Sequence, residues 1–223
     1  MATKKPLVFC LRSVMAWQSK HKTQTRRLVR PQPGDLPDVE GQWHLEEDAS
    51  GKWSWRMTER PLEWHYIRLV HQPYAVGDLC WIREALVSSN DQYFVGENAE
   101  PCHIALYAAD RVIAINQGRP MTWRWKRSKL PAIFMPRRAA RYHARIIGVR
   151  PERLQDITVE DAVAEGTLVG LDYDKLSTWY DGKSRDLYAN WWDSLHTKLE
   201  YMWNHNPMVW RYEVEDADAS PEA

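Results

Sequence analysis

Three groups suited to acyl transfer crowd into the segment KTQTRR: the amine of Lys22, the hydroxyl of Thr25 and the guanidinium of Arg26. A lysine of lowered pKa acts as a base, a threonine hydroxyl beside a base becomes a nucleophile, and a guanidinium steadies anionic groups. The same hexamer also fits a solvated basic edge strand, because short motifs recur by accident. A fourth candidate, Glu165, lies far along the chain in TVEDAVAEG. It falls in the last turn of a short helix, where the dipole favours cations, so a carboxylate there points to a role such as catalysis. The alternative is a solvent-exposed Glu tolerating a cost of about 0.5 kcal/mol.

These groups need elements to position them. SVMAWQSKHK reads as a helix with Val14, Met15 and Trp17 on one face and Ser13 as N-cap. Alternation then takes over from Thr23 to Val29, which predicts a strand. Lys22 therefore sits at a helix-to-strand junction, with Thr25 nearby and Arg26 directed to the other face. Thr158 caps the helix that carries Glu165, through Asp161, and Gly166 ends it.

Further strands are expected at PLVFCL, at HYIRLV, from Leu79 to Leu86, at HIALYAA, from Arg141 to Val149 and from Val209 to Glu213. Runs around Trp43 and Trp53–Trp55 flank EDASG and predict a hairpin turning at Gly51. RPQPGDLP is a loop, and Pro131 and Pro136 hold AIFM as an ordered loop. Ser184 to Glu200 predicts an amphipathic helix with Leu187, Trp191 and Leu195 on its buried stripe. Along Leu79–Leu86, Glu84 shares a side with Cys80 and Ile82. A structural ion pair, to Lys22 or an Arg, is the favoured reading of that carboxylate over catalysis.

At 223 residues and zero formal net charge, the chain is sized for one core and has no global field to attract a polyanion. Arg111 to Arg150, however, holds eleven Lys/Arg and no acid, which suits a nucleotide or RNA unless carboxylates from elsewhere neutralise it. Thirteen Trp against three Phe supply broad faces for packing or base stacking. Cys10, Cys80 and Cys102 are widely spaced and form neither a disulfide framework nor a zinc pattern, which suits a reducing compartment. The opening MATKKPLVFCL is too short an apolar run for a signal peptide and no stretch is long enough to span a bilayer, so a cytoplasmic protein is expected. Phosphate loops, G-x-S-x-G and H-E-x-x-H are missing and the eight His are scattered, so neither a metal nor another cofactor is expected.

KTQTRR, VGDLCWIRE, PAIFMPRRAAR, LQDITVEDAVAEG and NPMVWRYEVE, in that order, resemble the ASCH domain family, relatives of the PUA RNA-binding fold. The resemblance spans most of residues 6 to 215. It implies an α+β fold: a small PUA-like β-barrel flanked by helices, with a hairpin insertion. Residues 1–216 would form one domain with insertions near 38–60 and 168–183, followed by a disordered tail, 217–223. Smaller members hydrolyse N4-acetylcytidine to cytidine and acetate, and their Lys-Thr-x-Thr pattern and catalytic Glu match Lys22, Thr25 and Glu165 here. The hairpin at Trp43–Trp55 and the segment Gly170–Lys183 depart from those smaller members. The resemblance implies an amidohydrolase with catalytic Lys22, Thr25 and Glu165, and substrate contacts from Arg26, Trp81, Glu84, Phe134 and Met135. Its partner would be a modified nucleoside. A non-catalytic reader of RNA or modified bases and an RNA-cleaving member of the superfamily are the alternatives.

Overall fold

In MVWRYEVED, Trp210, Tyr212 and Val214 are buried at alternate positions while the charged residues between them are more exposed, the period of a strand, and only Val209 is also fully buried on the other face. That strand organises the fold. A computed structural model describes residues 4–36, 43–57, 67–96, 100–169 and 180–218. Their elements run β1 (Lys4–Val8), α1 (Leu11–Gln18), β2 (Gln24–Leu28), β3 (Trp43–Glu47), β4 (Trp53–Met57), β5 (Ile67–Val70), β6 (Leu79–Arg83) and β7 (Leu86–Ser88). There follow β8 (Ala105–Tyr107), β9 (Ile115–Asn116), β10 (Arg119–Pro120), β11 (Lys129–Leu130), β12 (His143–Arg153), α2 (Val159–Ala164), α3 (Tyr180–Leu195) and β13 (Met208–Asp216). The fold is α+β and mostly strand.

The main sheet has the order β1-β6-β12-β13-β2, with β1 and β6 parallel and the other pairs antiparallel. β3-β4-β5 forms a meander whose turn places Gly51 at φ +79°, with the Asp48 carboxylate accepting from the Ser50 and Lys52 amides. This hairpin is part of the principal core. Trp55 is fully buried with Leu7, Phe9, Ile82, Trp210 and Tyr212, and Trp53 meets Trp210 edge-on at 5.3 Å. Each such buried aromatic or aliphatic side chain contributes roughly 1.5–3 kcal/mol. A second core lies under β11-β7-β8, and a third joins α2 and α3 to β13 through Ala162, Tyr188, Trp192 and Val209.

The expected barrel is not closed among the described residues. β1 pairs with β6 alone and β2 with β13 alone, which leaves the two end strands without a shared ladder. One side chain bridges them, the Arg27 guanidinium donating to the Val8 carbonyl. α1 starts at Leu11 with Cys10 as N-cap, three residues before the expected Ser13, which instead lies inside the helix facing the Cys10 sulfur at 3.4 Å. The predicted strand from Leu79 to Leu86 breaks after Arg83, because the Glu84 amide turns away to the Met135 sulfur at 3.2 Å. α3 buries Ser184, Tyr188 and Trp192, a stripe rotated by one residue from Leu187, Trp191 and Leu195. At the end of the chain, Ala217 and Asp218 still bond to His143. Residues 37–42, 58–66, 170–179 and 219–223 lie outside the described residues, and with them parts of both expected insertions and the rest of the tail. No helix among the described residues is long and apolar enough to cross a membrane.

Candidate active site

Two short elements bring the predicted acid–base groups together. α1 ends in a left-handed residue, Lys20 at φ 60°, which turns the chain so that His21 and Lys22 both donate their amides to Ala16. α2 is capped as expected, Thr158 accepting from the Asp161 amide, and Gly166 ends it at φ +87°. A Cβ on Gly166 would fall 2.3 Å from that of Ala16, so the glycine permits the close approach of α1 to the end of α2. The Thr23 amide then donates to Ala164, tying the start of β2 to the same helix end.

The Lys22 ammonium donates to the Glu165 carboxylate at 2.7 Å and to the Glu165 carbonyl at 2.9 Å. Lys22 thus places a cation at the carboxyl end of α2 and removes the conflict between Glu165 and the helix dipole. Both side chains are almost wholly buried. Arg26 shares the site. Its guanidinium reaches the other Glu165 oxygen at 3.2 Å, Asp161 at 3.1 Å and Glu152 at 2.7 Å, and Gln24 and Arg211 complete the network around Asp161. Arg26 leaves β2 on the same side as Gln24 and opposite Thr25, as alternation suggests, and its long stem carries the charge to Glu165 beside Lys22.

Burial lowers the Lys22 pKa, and the attraction of Glu165 only partly offsets this. Burial also works against the charge on Arg26, but Glu165, Glu152 and Asp161 outweigh it and raise its pKa. Asp161 is raised by burial and lowered more strongly by Gln24, Arg26 and Arg211, so it stays ionised.

Lys22, Thr25, Arg26 and Glu165 all line one cavity of about 580 Å³, within the range of small-molecule sites. Val8 and Phe9 contribute from the end of β1, and Thr25 to Leu28 from β2, so the cavity fills the gap where a closed barrel would need a β1–β2 ladder. α3 supplies the opposite wall with Tyr188, Trp191, Trp192 and Leu195. The Lys22 nitrogen lies 5.4 Å from the Phe9 ring and 5.7 Å from the Trp191 ring, an aromatic cradle for a cation or a flat base. His196 stacks on Trp192 at 4.2 Å and bonds through Nδ1 to the Trp192 carbonyl, and burial lowers its pKa.

Four other candidates do not line this cavity. Glu84 accepts two bonds of 2.8 Å from Arg141, whose guanidinium also reaches Asp110 at 2.7 Å, so its partner is an Arg rather than Lys22. Burial pushes the Glu84 carboxyl up and Arg141 pulls it down, with burial the larger effect. Trp81 is buried within β6, with the Arg83 guanidinium 4.5 Å from its ring. Met135 is fully buried in the second core, and Phe134 is exposed on the surface. Their neighbours Ala132 and Ile133 do reach the cavity, held by the Arg83 guanidinium on the Ile133 carbonyl at 2.7 Å.

The α3 wall escaped the sequence reading, although the aromatic density of YANWW was its visible signal. Arg27 and Arg30, also in the lining, lie in or beside the basic segment but carried no separate mark. Among the described residues no group of three His, Cys, Asp or Glu is arranged to hold a metal ion. No family model, curated protein or solved structure matches the chain.

Proposed function

We propose that this chain is an ASCH-type amidohydrolase that removes the acyl group from N4-acylated cytidine, converting N4-acetylcytidine to cytidine and acetate. The observation that carries the reading is the buried Lys22–Glu165 pair at 2.7 Å in a cavity that Thr25 also lines. Amide cleavage needs a nucleophile, a base and a proton for the departing nitrogen. Both Glu165 oxygens are held by cations, which makes it a poor base and a good anchor for Lys22. Lys22, with its proton loosened by burial, is the acid–base group.

In this mechanism Lys22, once it has released its own proton, takes the Thr25 proton as the hydroxyl oxygen attacks the acetyl carbon. The resulting ammonium protonates N4 as the carbon–nitrogen bond breaks, releasing cytidine and leaving an acetyl ester on Thr25. Lys22 then takes a proton from water, whose oxygen attacks the ester, and returns it to the Thr25 oxygen as acetic acid departs and ionises in solvent to acetate. The pyrimidine ring eases the step by withdrawing charge from the leaving nitrogen, and Phe9 and Trp191 offer faces for it. The near approach of β1 and β2 across the cavity supports the PUA-like reading of the fold.

The test is incubation of the purified protein with N4-acetylcytidine, with cytidine followed by chromatography. Turnover is expected, and no cytidine at high protein concentration would remove the reading. A second reading, a non-catalytic RNA binder in the cytoplasm, is favoured by the exposed cations Arg119, Arg124, Lys126, Arg127, Lys129 and Arg138, which pair with no carboxylate among the described residues. Tight, salt-sensitive RNA binding without turnover would promote it.

A further inference from the structure

We infer that the cavity takes its substrate as a phosphorylated nucleoside, with the phosphate on Arg27 and Arg30. This deepens the amidohydrolase reading and rests on it.

Charge balance inside the cavity is the first observation. Among the described residues its lining holds four cations, Lys22, Arg26, Arg27 and Arg30, and a single carboxylate, Glu165. Lys22 is matched by Glu165, and Arg26 by Glu165, Asp161 and Glu152. Arg27 and Arg30 have no carboxylate partner among the described residues. Arg27 spends one N–H on the Val8 carbonyl, while its buried Nε–H has no partner among the described residues. A buried donor without an acceptor is costly, and a turn of the guanidinium towards an anion in the cavity relieves it. Arg30 is exposed, with its guanidinium 5.5 Å from the Tyr201 ring, free to turn towards an incoming oxyanion.

Position is the second observation. Lys22, Thr25 and Glu165 are at the end of β2 next to the α1 junction, whereas Arg27 and Arg30 lie further along the same strand and beyond it. Residues advance about 3.3 Å each along a strand. From Thr25 to Arg30 the lining is therefore long enough to hold the acyl end of a cytidine at one side and its phosphate at the other. Two unopposed guanidiniums suit a phosphate, which accepts paired N–H bonds. The volume of about 580 Å³ fits one nucleotide rather than a folded RNA segment.

The experiment compares turnover of N4-acetylcytidine 5′-monophosphate with that of N4-acetylcytidine, alongside calorimetric titration of CMP, cytidine and inorganic phosphate. The nucleotide is expected to exceed the nucleoside in kcat/KM by at least ~10-fold, and CMP to bind at least ~10-fold tighter than cytidine, as one or two charge-assisted bonds imply. Inorganic phosphate should compete with CMP, and salt should shrink the advantage. Arg27→Gln and Arg30→Gln should each lower the nucleotide-to-nucleoside ratio. The exposed Arg30 supplies the test if Arg27→Gln does not fold. Equal kcat/KM and equal affinities overturn the phosphate assignment while the amidohydrolase reading stands. No turnover of either substrate, with CMP still preferred over cytidine, supports the phosphate subsite and sinks the amidohydrolase reading. Turnover confined to an acetylated RNA oligomer overturns the choice of a mononucleotide.

Discussion

The ammonium of Lys22 donates to both the carboxylate and the backbone carbonyl of Glu165, a contact that joins the end of α1 to the end of α2 across 143 positions of chain. Removing one member leaves the other buried without its main partner, and the two members differ in what remains. Glu165→Ala strands Lys22 among Phe9, Trp191 and Arg26, so a loss of about 3–5 kcal/mol is expected in denaturant titrations. Lys22→Met should cost less, because Arg26 still holds the Glu165 carboxylate. The two single variants measure the difference and the double variant their coupling, and equal single losses would contradict the shared-carboxylate geometry. In N4-acetylcytidine hydrolysis, Lys22→Ala, Thr25→Ala and Glu165→Ala should each lose at least ~100-fold in rate.

The lowered pKa of Lys22 makes a second prediction, with a definite sign. Unfolded Lys22 keeps its proton up to about pH 10.5, whereas the native protein releases it at a lower pH. Between those two values the unfolded chain binds more protons, so stability should rise with pH across that window relative to Lys22→Met. The same ionisation governs the proposed base. The kcat/KM profile should rise with an inflexion below 10.5, and a flat profile through that range would argue against Lys22 as the base.

How much of this was legible in the sequence depends on whether a feature is local. The α2 cap at Thr158 and its stop at Gly166 depend on neighbours within a few residues, and both were readable. Apart from the family resemblance, Glu165 stands out in the sequence as a mismatch with its own helix end, while the cations that resolve the mismatch come from a distant segment. Alternation predicted the departure of Arg26 from β2 but not the path of its long stem to Glu165. The α3 stripe was misjudged by one residue because Tyr188, Trp191 and Trp192 fit two overlapping helical faces, and only packing against Val209 and Ala162 selects one. The strand break at Glu84 is set by Met135 and Arg141, contacts that no local pattern encodes.

Gly166 offers a third test, independent of catalysis. At φ +87° an L-residue is strained, and its Cβ would stand 2.3 Å from Ala16. Gly166→Ala should therefore destabilise by about 2–5 kcal/mol, adding left-handed strain to overpacking between α1 and α2. Because α1 and α2 carry Lys22 and Glu165, any protein that folds should also turn over more slowly. A stable and fully active Gly166→Ala would show that the two helices do not need this approach.

The Glu84–Arg141 pair makes the opposite prediction, a structural effect with little catalytic one. Glu84 is buried outside the cavity and its two bonds to Arg141 hold the junction of β6 and β7. Glu84→Ala should cost about 3 kcal/mol in denaturant titrations by leaving that guanidinium without its bidentate partner. The kcat/KM of the folded fraction should change by only a few-fold. A large fall in kcat/KM without loss of stability would return Glu84 to substrate binding.

Trp191 separates binding from chemistry at the cavity wall. It lies on the solvent side of the buried α3 stripe, with the Tyr188 ring edge-on at 6.0 Å and the Arg12 guanidinium 5.8 Å away, so it is oriented without being entombed. A half-exposed Trp in a cavity with a flat-faced substrate should contribute stacking, roughly 1–3 kcal/mol per base. Trp191→Ala should then raise KM by about 5–150-fold, while kcat falls less because the Lys22–Glu165 contact does not depend on the indole. Substrate should also quench Trp fluorescence in the parent protein and do so more weakly in the variant. If kcat collapses while KM is unchanged, the indole acts on the reacting groups and the base lies elsewhere in the cavity.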